Sequence, residues 1–299
     1  MADIKLTATS RANLLSLNET TSLANRTQSR LSTGLKVSSA IDDATAYFAA
    51  KSLSDRASDL TSRKGNIDQG ISSLKAAVNA TQSAETLLKQ IKGVAISAKT
   101  ADDTTKADLS TQFADLLNQL NSLLGDASYQ GTNLVNSTTQ SLTVRFSEVT
   151  SAELTVNSRD LRAGALITVA SAADAKGSDI FAAFLTGAGS AGAANGFSDI
   201  AASALISTID TITDSLDSAI SSVRATASSL GSNITLLQTR ADFTQNYSNT
   251  LTEGSDKLTL ADLNEEGANL VALQTRQQLA LKALSFAGQS EQSVLSLLQ

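Results

Sequence analysis

Proline is absent from the sequence, and with it the residue that most sharply interrupts helices, because its ring lacks an N–H and collides with the preceding turn. Nothing of that kind stops helices of thirty residues or more. Histidine and cysteine are also absent, which removes the side chains behind most near-neutral acid/base chemistry, thiolate nucleophiles and tight transition-metal sites. The chain is therefore expected to be no enzyme and to need no cofactor or metal. Without cysteine there is no disulfide framework, and an extracellular location stays permitted. Tryptophan is missing and aromatics make up only 4%, so the core must be aliphatic, a composition that suits helix-on-helix seams. No stretch approaches eighteen consecutive apolar residues, and Met1 to Leu17 lacks a basic segment followed by an unbroken apolar one. Neither a membrane span nor a cleaved secretory signal is expected. The net charge is −6 and the basic residues are dispersed. Nucleic acid and anionic membrane, which both demand clustered positive charge, are not expected partners.

What is present is heptad periodicity. Ile209, Leu216, Val223, Leu230 and Leu237 stand seven apart, Leu251 and Leu258 continue the register, and Leu205, Ile212 and Ala219 run beside them. This predicts a long helix over Ser198 to Gly254. In the N-terminal half Ile67, Ile71, Leu74, Val78, Thr81, Ala84, Leu88, Ile91, Ala95 and Ala98 step by threes and fours and predict a partner helix. Leu109, Phe113, Leu116, Leu120 and Leu123 give a shorter one, stopped at Gly125. Narrow apolar stripes of this kind must cover one another. Between Tyr129 and Asp160 the period falls to two, with Leu142, Val144, Phe146, Leu154 and Val156 alternating with polar residues, so a β-hairpin is expected there. From Gly164 the chain turns rich in Ala, Gly and Ser, as in a surface insertion.

The two ends form a separate class. Leu14, Leu17, Ala24 and Leu31, with Leu23 beside them, mark a helix closed by Gly34. Leu263, Leu270, Leu273, Leu281, Leu284, Leu295 and Leu298, with Val294 beside them and Gly288 in the seam, mark another. Its register slips by an eleven-residue step between Leu270 and Leu281. Such stripes are too narrow to be stable alone in water, so the ends must pair with each other or with neighbouring copies. The expected fold is mainly α, a long antiparallel helical bundle or coiled coil with paired N- and C-terminal helices, a small β-hairpin and a short surface insertion. The expected divisions are 1–42 with 258–299 as an inner coiled coil, 43–163 with 198–257 as an outer layer, and 164–197 as a solvent-facing insertion.

Three patterns imitate chemistry. Gly187-Ala188-Gly189-Ser190-Ala191-Gly192, with Asp210 some twenty residues on, satisfies the dinucleotide-binding spacing, yet no alternation of strand and helix surrounds it, and it reads as a flexible loop. The acid pairs Asp42-Asp43, Asp102-Asp103 and Glu265-Glu266 point about 100° apart on a helix, so they read as solvated faces or helix-start charges rather than a cation site. For Asp42-Asp43, salt bridging between subunits is a further role. The triplets Asn79-Ala80-Thr81 and Asn233-Ile234-Thr235 fall inside predicted helices and are discounted as glycan acceptors.

The run Arg30 to Ala44, RLSTGLKVSSAIDDA, resembles the signature near the start of bacterial flagellins: a basic residue, Leu, Ser, a small residue, Gly and Leu, then Ser-Ala-x-Asp-Asp-Ala. Ala261 to Leu270, ADLNEEGANL, then Ala272 to Leu279 and Ser293 to Leu298 are similar to the flagellin C-terminus, especially the alphaproteobacterial kind. The resemblance implies a subunit that self-polymerises into the helical filament used for motility, with both termini joined in an inner coiled coil. It implies self-association through Leu14, Leu17, Leu23, Leu31, Leu263, Leu270, Leu273, Leu281, Leu284, Val294, Leu295 and Leu298, and inter-subunit contacts at Arg30, Gly34, Lys36, Asp42 and Asp43. Other implied partners are the flagellar export apparatus, the cap and the hook-junction proteins. It also implies an extracellular place reached by type III export without a cleaved signal. A hook–filament junction protein, which shares the terminal architecture, is the alternative. An enzyme using the glycine loop lacks its motif context, and a zinc protease insertion is excluded by the missing histidines. Flagellins detected by the mammalian innate receptor carry an arginine-bearing segment on the first long middle helix. The corresponding positions here are Leu88, Lys89, Gln90, Ile91, Lys92 and Gly93, with Gln90 in place of the arginine and Gly93 in place of an acid, so weak or absent recognition is expected.

Overall fold

The proline-free sequence is realised as two helices of 54 and 58 residues. A computed structural model describes residues 8–147, 152–167 and 202–297. In chain order these form α1 (Ala8–Thr33), α2 (Ala44–Ser97), α3 (Asp103–Asp126), β1 (Ser128–Tyr129), β2 (Thr132–Asn133), β3 (Ser141–Arg145), β4 (Glu153–Asn157), the single turn α4 (Ala163–Leu166), α5 (Ala202–Thr259) and α6 (Leu263–Leu297). The chain divides into two compact units, one from Asp59 to Asn246 and one made of the residues up to Ser58 with those from Tyr247 onward.

In the unit from Asp59 to Asn246, α2 and α5 are antiparallel and bury the heptad positions read from the sequence. Ile67, Leu74, Leu88 and Ile91 face the side of Ile209, Leu216, Val223, Leu230 and Leu237 in one continuous core. The helix α3 adds Phe113, Leu117, Leu120 and Leu124, all fully buried. It starts where Asp102 accepts a hydrogen bond from Thr105 N at 3.1 Å, a capping contact that satisfies an orphan donor of the first turn. Its last carbonyls are met from outside, since Asn133 Nδ2 donates to Leu124 O at 2.7 Å and to Gly125 O at 3.1 Å. The turn between β1 and β2 places Gln130 and Gly131 at φ 49° and 81°, the left-handed pair that two-residue hairpins favour. The expected alternating hairpin is β3 with β4, paired antiparallel from Ser141↔Asn157 to Arg145↔Glu153. Its inner face carries Leu142, Val144, Leu154 and Val156, and Arg240 lies over the Phe146 ring. The hairpin rests directly on α2 at Gly70, where an added Cβ would stand 2.5 Å from Val144 Cγ2.

Three boundaries differ from the sequence expectation. The first middle helix begins at Ala44 rather than near Ile67, because its early seam is Ala46, Ala50, Leu53, Ala57 and Leu60, whose small residues hide the period from a search for large ones. The helix α5 runs through Gly254 to Thr259. Gly254 lies in the seam there, where an added Cβ would stand 3.4 Å from Leu53 Cδ1, an ordinary contact. At the start of the expected insertion, Ala163 N donates to Asn121 Oδ1 at 3.0 Å and Ala163 and Ile167 are buried, so Leu166 and Ile167 pack with the core while Gly164 and Ala165 stay exposed. The rest of that insertion, 168–197, and the glycine motif at 187–192 lie outside the described residues.

In the second unit α1 lies along α6. The contacts Arg30 to Glu266 and Gln277 to Thr21 show that the two run antiparallel. The beginning of α2 and the end of α5 pack by close approach: Ser248 Oγ donates to Ala57 O and Ser255 Oγ to Ala50 O, both at 3.0 Å. These bonds cross between helices and recur every seven residues.

Candidate self-association surface and its joint

The seam between α1 and α6 is built largely from small and polar residues. On α1 it uses Leu17, Thr20, Ala24 and Thr27, with Thr20 and Thr27 buried. Each such threonine is tolerable inside a helix because its hydroxyl can reach back to a carbonyl, as Thr20 does to Ser16 O at 2.7 Å. On α6 the seam is Glu266, Leu270, Leu273, Gln277, Ala280, Leu284 and Ala287, an uninterrupted alternation of fours and threes. The register slip expected from the leucines does not occur. Gln277 and Ala280 hold the seam positions, and Leu281 lies on another face, about half exposed.

The expected self-association residues thus fall into two groups. Leu17, Leu270, Leu273 and Leu284 are half-buried on the seam positions of the chain's own end helices. Leu14, Leu23, Leu31, Leu263 and Leu281 stay exposed, together with Leu15, Val271, Leu279 and Phe286, which the sequence reading missed. Leu279 and Phe286 are 62% and 70% exposed and seven apart, the spacing that could have revealed a second stripe. Val294 and Leu295 are in the last turns of α6, with side chains outside what is described, and Leu298 lies outside the described residues.

A joint ties the end helices to the chain beside them. Gly34, at φ 74°, ends α1 in the left-handed conformation that glycine adopts without strain, and its N–H returns to Arg30 O at 2.8 Å. The chain then pairs with the segment between α5 and α6: Lys36 N donates to Thr259 O at 2.8 Å, Ala261 N donates to Gly34 O at 2.9 Å, and Leu35 bridges Leu260. Lys36 Nζ reaches Lys257 O at 3.3 Å. Asp262 opens α6 by accepting from Asn264 N at 2.9 Å. One turn on, Glu266, a residue only 8% exposed, meets Arg30 Nη1 through its carboxylate at 3.0 Å.

The acid pairs sit at helix starts, where the partial positive charge of unpaired N–H groups favours them. Asp43 Oδ1 accepts from Ala46 N at 2.9 Å at the head of α2. Asp42 Oδ2 accepts from N and Oγ of both Ser38 and Ser39, at 3.0 to 3.1 Å. Hydrogen bonds from the Ser38 side chain, then from the Ser38 and Ser39 backbone, hold the Asp42 carboxyl below its ordinary range. Among the described residues no group of acids is placed to hold a metal ion, and no described helix is long and apolar enough to cross a membrane.

Sequence reasoning also missed a charge ladder between α2 and α5. Glu85 meets Arg224 at 2.8 Å, Lys92 meets Asp217 at 2.7 Å, and Lys99 pairs with Asp210. The members are seven apart on each helix, a pattern invisible when charges are counted along a single helix. In the segment compared with receptor-binding flagellins, Leu88 is fully buried, Lys89 pairs with Glu85 at 2.8 Å, Lys92 belongs to the ladder, Gln90 is exposed, and Gly93 has no neighbour within 4 Å of where a Cβ would stand.

Long antiparallel helices with N- and C-terminal ends paired, a helix-bound hairpin and apolar end faces open to solvent define a helical structural protein. Family models for the bacterial flagellin N-terminal and C-terminal helical regions match residues 4–140 and 213–298. Flagellin FljO of Caulobacter vibrioides is 31% identical over 286 residues, covering 95% of this chain and 94% of that protein. A flagellin of Brucella melitensis is 28% identical over 304 residues, covering 99% of each. Among solved structures, a Bacillus cereus flagellin covers 60% of this chain and 88% of its own, at a TM-score of 0.44 and 16% identity. The chain belongs to the bacterial flagellin family and is a structural subunit of the flagellar filament. These relatives are named flagellins, which favours the filament subunit over the hook–filament junction protein.

Proposed function

We propose that the exposed faces of α1 and α6 are the surfaces that neighbouring copies cover when the subunit polymerises. One observation carries this reading. Among the described residues, every exposed large apolar side chain except Ile96, Leu236 and Phe243 lies in the unit that contains the two end helices. Burying one Leu-sized side chain stabilises by about 1.5–3 kcal/mol, so the set represents a large association energy, less the cost of ordering the ends. Surfaces that differ from their complements and do not close into a ring extend a chain of copies into a helical filament. Arg30, Gly34, Lys36, Asp42 and Asp43 then hold the joint that presents those faces. We further propose export through the flagellar type III channel without a cleaved signal, with the export apparatus, the cap and the hook-junction proteins as partners. No catalysis is part of this function.

The test is Leu281→Asp, alone and with Phe286→Asp. Sedimentation after seeding is expected to show no polymer, while circular dichroism keeps the helix content of the parent. Normal filaments from the double variant would overturn the assignment of this face. Weak signalling by the purified monomer in a receptor-reporter assay is also expected, since Gln90 offers no guanidinium and Leu88 is buried. A response equal to that of an enterobacterial flagellin would refute it.

A further inference from the structure

We propose that Ile41 is an apolar knob with which each subunit engages a second copy of this chain, an inference that rests on the assembly reading above. Ile41 stands between α1 and α2, in the stretch whose acids are the obvious candidates for inter-subunit contact. Those acids are exposed, yet each commits one carboxylate oxygen to its own chain. Asp42 Oδ2 accepts four hydrogen bonds from Ser38 and Ser39, Asp42 N donates to Ser39 O at 3.1 Å, and Asp43 caps α2 through Ala46 N. The backbone on both sides of Ile41 is thereby tied down. The aliphatic side chain between the tied residues is 96% exposed.

Isolated exposed apolar residues are common and need no special explanation. Ile41 differs in three ways. Isoleucine is among the residues most often buried, and here it is nearly as open as a side chain can be. Its Cβ branch restricts χ1 and the turn beneath it is hydrogen-bonded, so little freedom remains to be lost on contact. It also belongs to the unit that holds most of the exposed apolar side chains, including Phe48 at the head of α2 and Leu260 at the joint. A preorganised apolar projection on a subunit whose family packs copy against copy is suited to fill a recess on another copy. Asp42 and Asp43 are the scaffold of this knob, and Ile41 is its contact.

The sequence has no cysteine, so Ile41→Cys offers a unique attachment point for an environment-sensitive fluorophore. The labelled full-length chain is mixed at trace level into unlabelled protein and grown from seeds. The expected result is a blue-shifted emission and a several-fold loss of iodide quenching in pelleted filaments relative to monomer. Ile41→Ser is expected to raise the critical concentration for seeded growth about tenfold, with Ile41→Val close to the parent and helix content unchanged in both. A label equally quenched in filament and monomer, or parental growth of Ile41→Ser, overturns the role of Ile41 and leaves the assembly reading standing. Failure of the unmodified chain to extend its own seeds overturns both.

Discussion

The same pair of helices is packed by two different chemistries in the two units. Between Asp59 and Asn246, α2 and α5 meet through Ile67, Leu74, Leu88, Ile91, Leu216, Val223 and Leu237, with α3 and the hairpin adding further apolar layers. From Tyr247 onward and up to Ser58, small residues Ala50, Ala57, Ser248, Gly254 and Ser255 share the seam with Leu53 and Leu251, and hydroxyl-to-carbonyl bonds cross it. The first unit encloses most of its large apolar side chains, Ile96, Leu236 and Phe243 excepted. The second mixes alanines and threonines with half-buried leucines in its seams and leaves other leucines, Phe48 and Phe286 outside. A heptad pattern therefore says that two helices meet, while the sizes of the side chains within it say whether the chain supplies its own cover.

Four measurements would break or sharpen this contrast. Leu88→Ala, at a fully buried position in the first unit, is expected to cost about 2–5 kcal/mol, seen as a lower Tm of the monomer by circular dichroism. A comparable loss from Leu279→Ala in the monomer would erase the contrast, since that side chain is largely in solvent. Arg30→Ala strands the Glu266 carboxylate in the end-helix seam. It should cost about 1.5–3 kcal/mol, read as faster amide exchange along α6 with little change in the first unit. Ser248→Ala removes one buried hydrogen bond to Ala57 O and is expected to cost about 1 kcal/mol, with Ser255→Ala nearly additive.

The smallest effect concerns acid. The carboxyl of Glu85 is held below its ordinary value by its hydrogen bond with Lys89 first and then with Arg224. Asp42 is held down by Ser38 and Ser39. A carboxyl with a lowered folded value contributes stability that is fully present above its unfolded value and is lost as pH falls through the folded one. Thermal melts should thus be flat above about pH 5 and decline below about pH 4. Arg224→Gln should flatten part of that decline, and an unchanged acid profile would remove the Glu85–Arg224 pair from its causes.

Much of the architecture is legible in the sequence because large aliphatic residues repeat at helical spacing. Leu216, Val223 and Leu230 are buried on α5, and the alternation at Leu142, Val144, Leu154 and Val156 forms the paired hairpin. The first turns of α2 were missed because Ala46, Ala50 and Ala57 carry the seam in residues too small to stand out from an alanine-rich background. The supposed slip in α6 had the opposite origin. By hydrophobicity Leu281 belongs to the stripe, although Gln277 and Ala280 occupy the facing positions. The helix-start reading fits Asp43, which caps α2, whereas the turn made by Asp42 is not legible, since a carboxylate beside serines is equally suited to a neighbour or to its own turn.

By itself the sequence determined that long helices form, that they pair through heptad seams, and that the ends form a class of their own, because periodicity and the absence of proline act locally along the chain. Only the tertiary structure decided which face of each end helix is covered by the same chain. That choice depends on the rotation of α1 against α6, held by Arg30 with Glu266 and by the Gly34 to Ala261 joint. Residues more than two hundred positions apart set that rotation, and no local pattern encodes it.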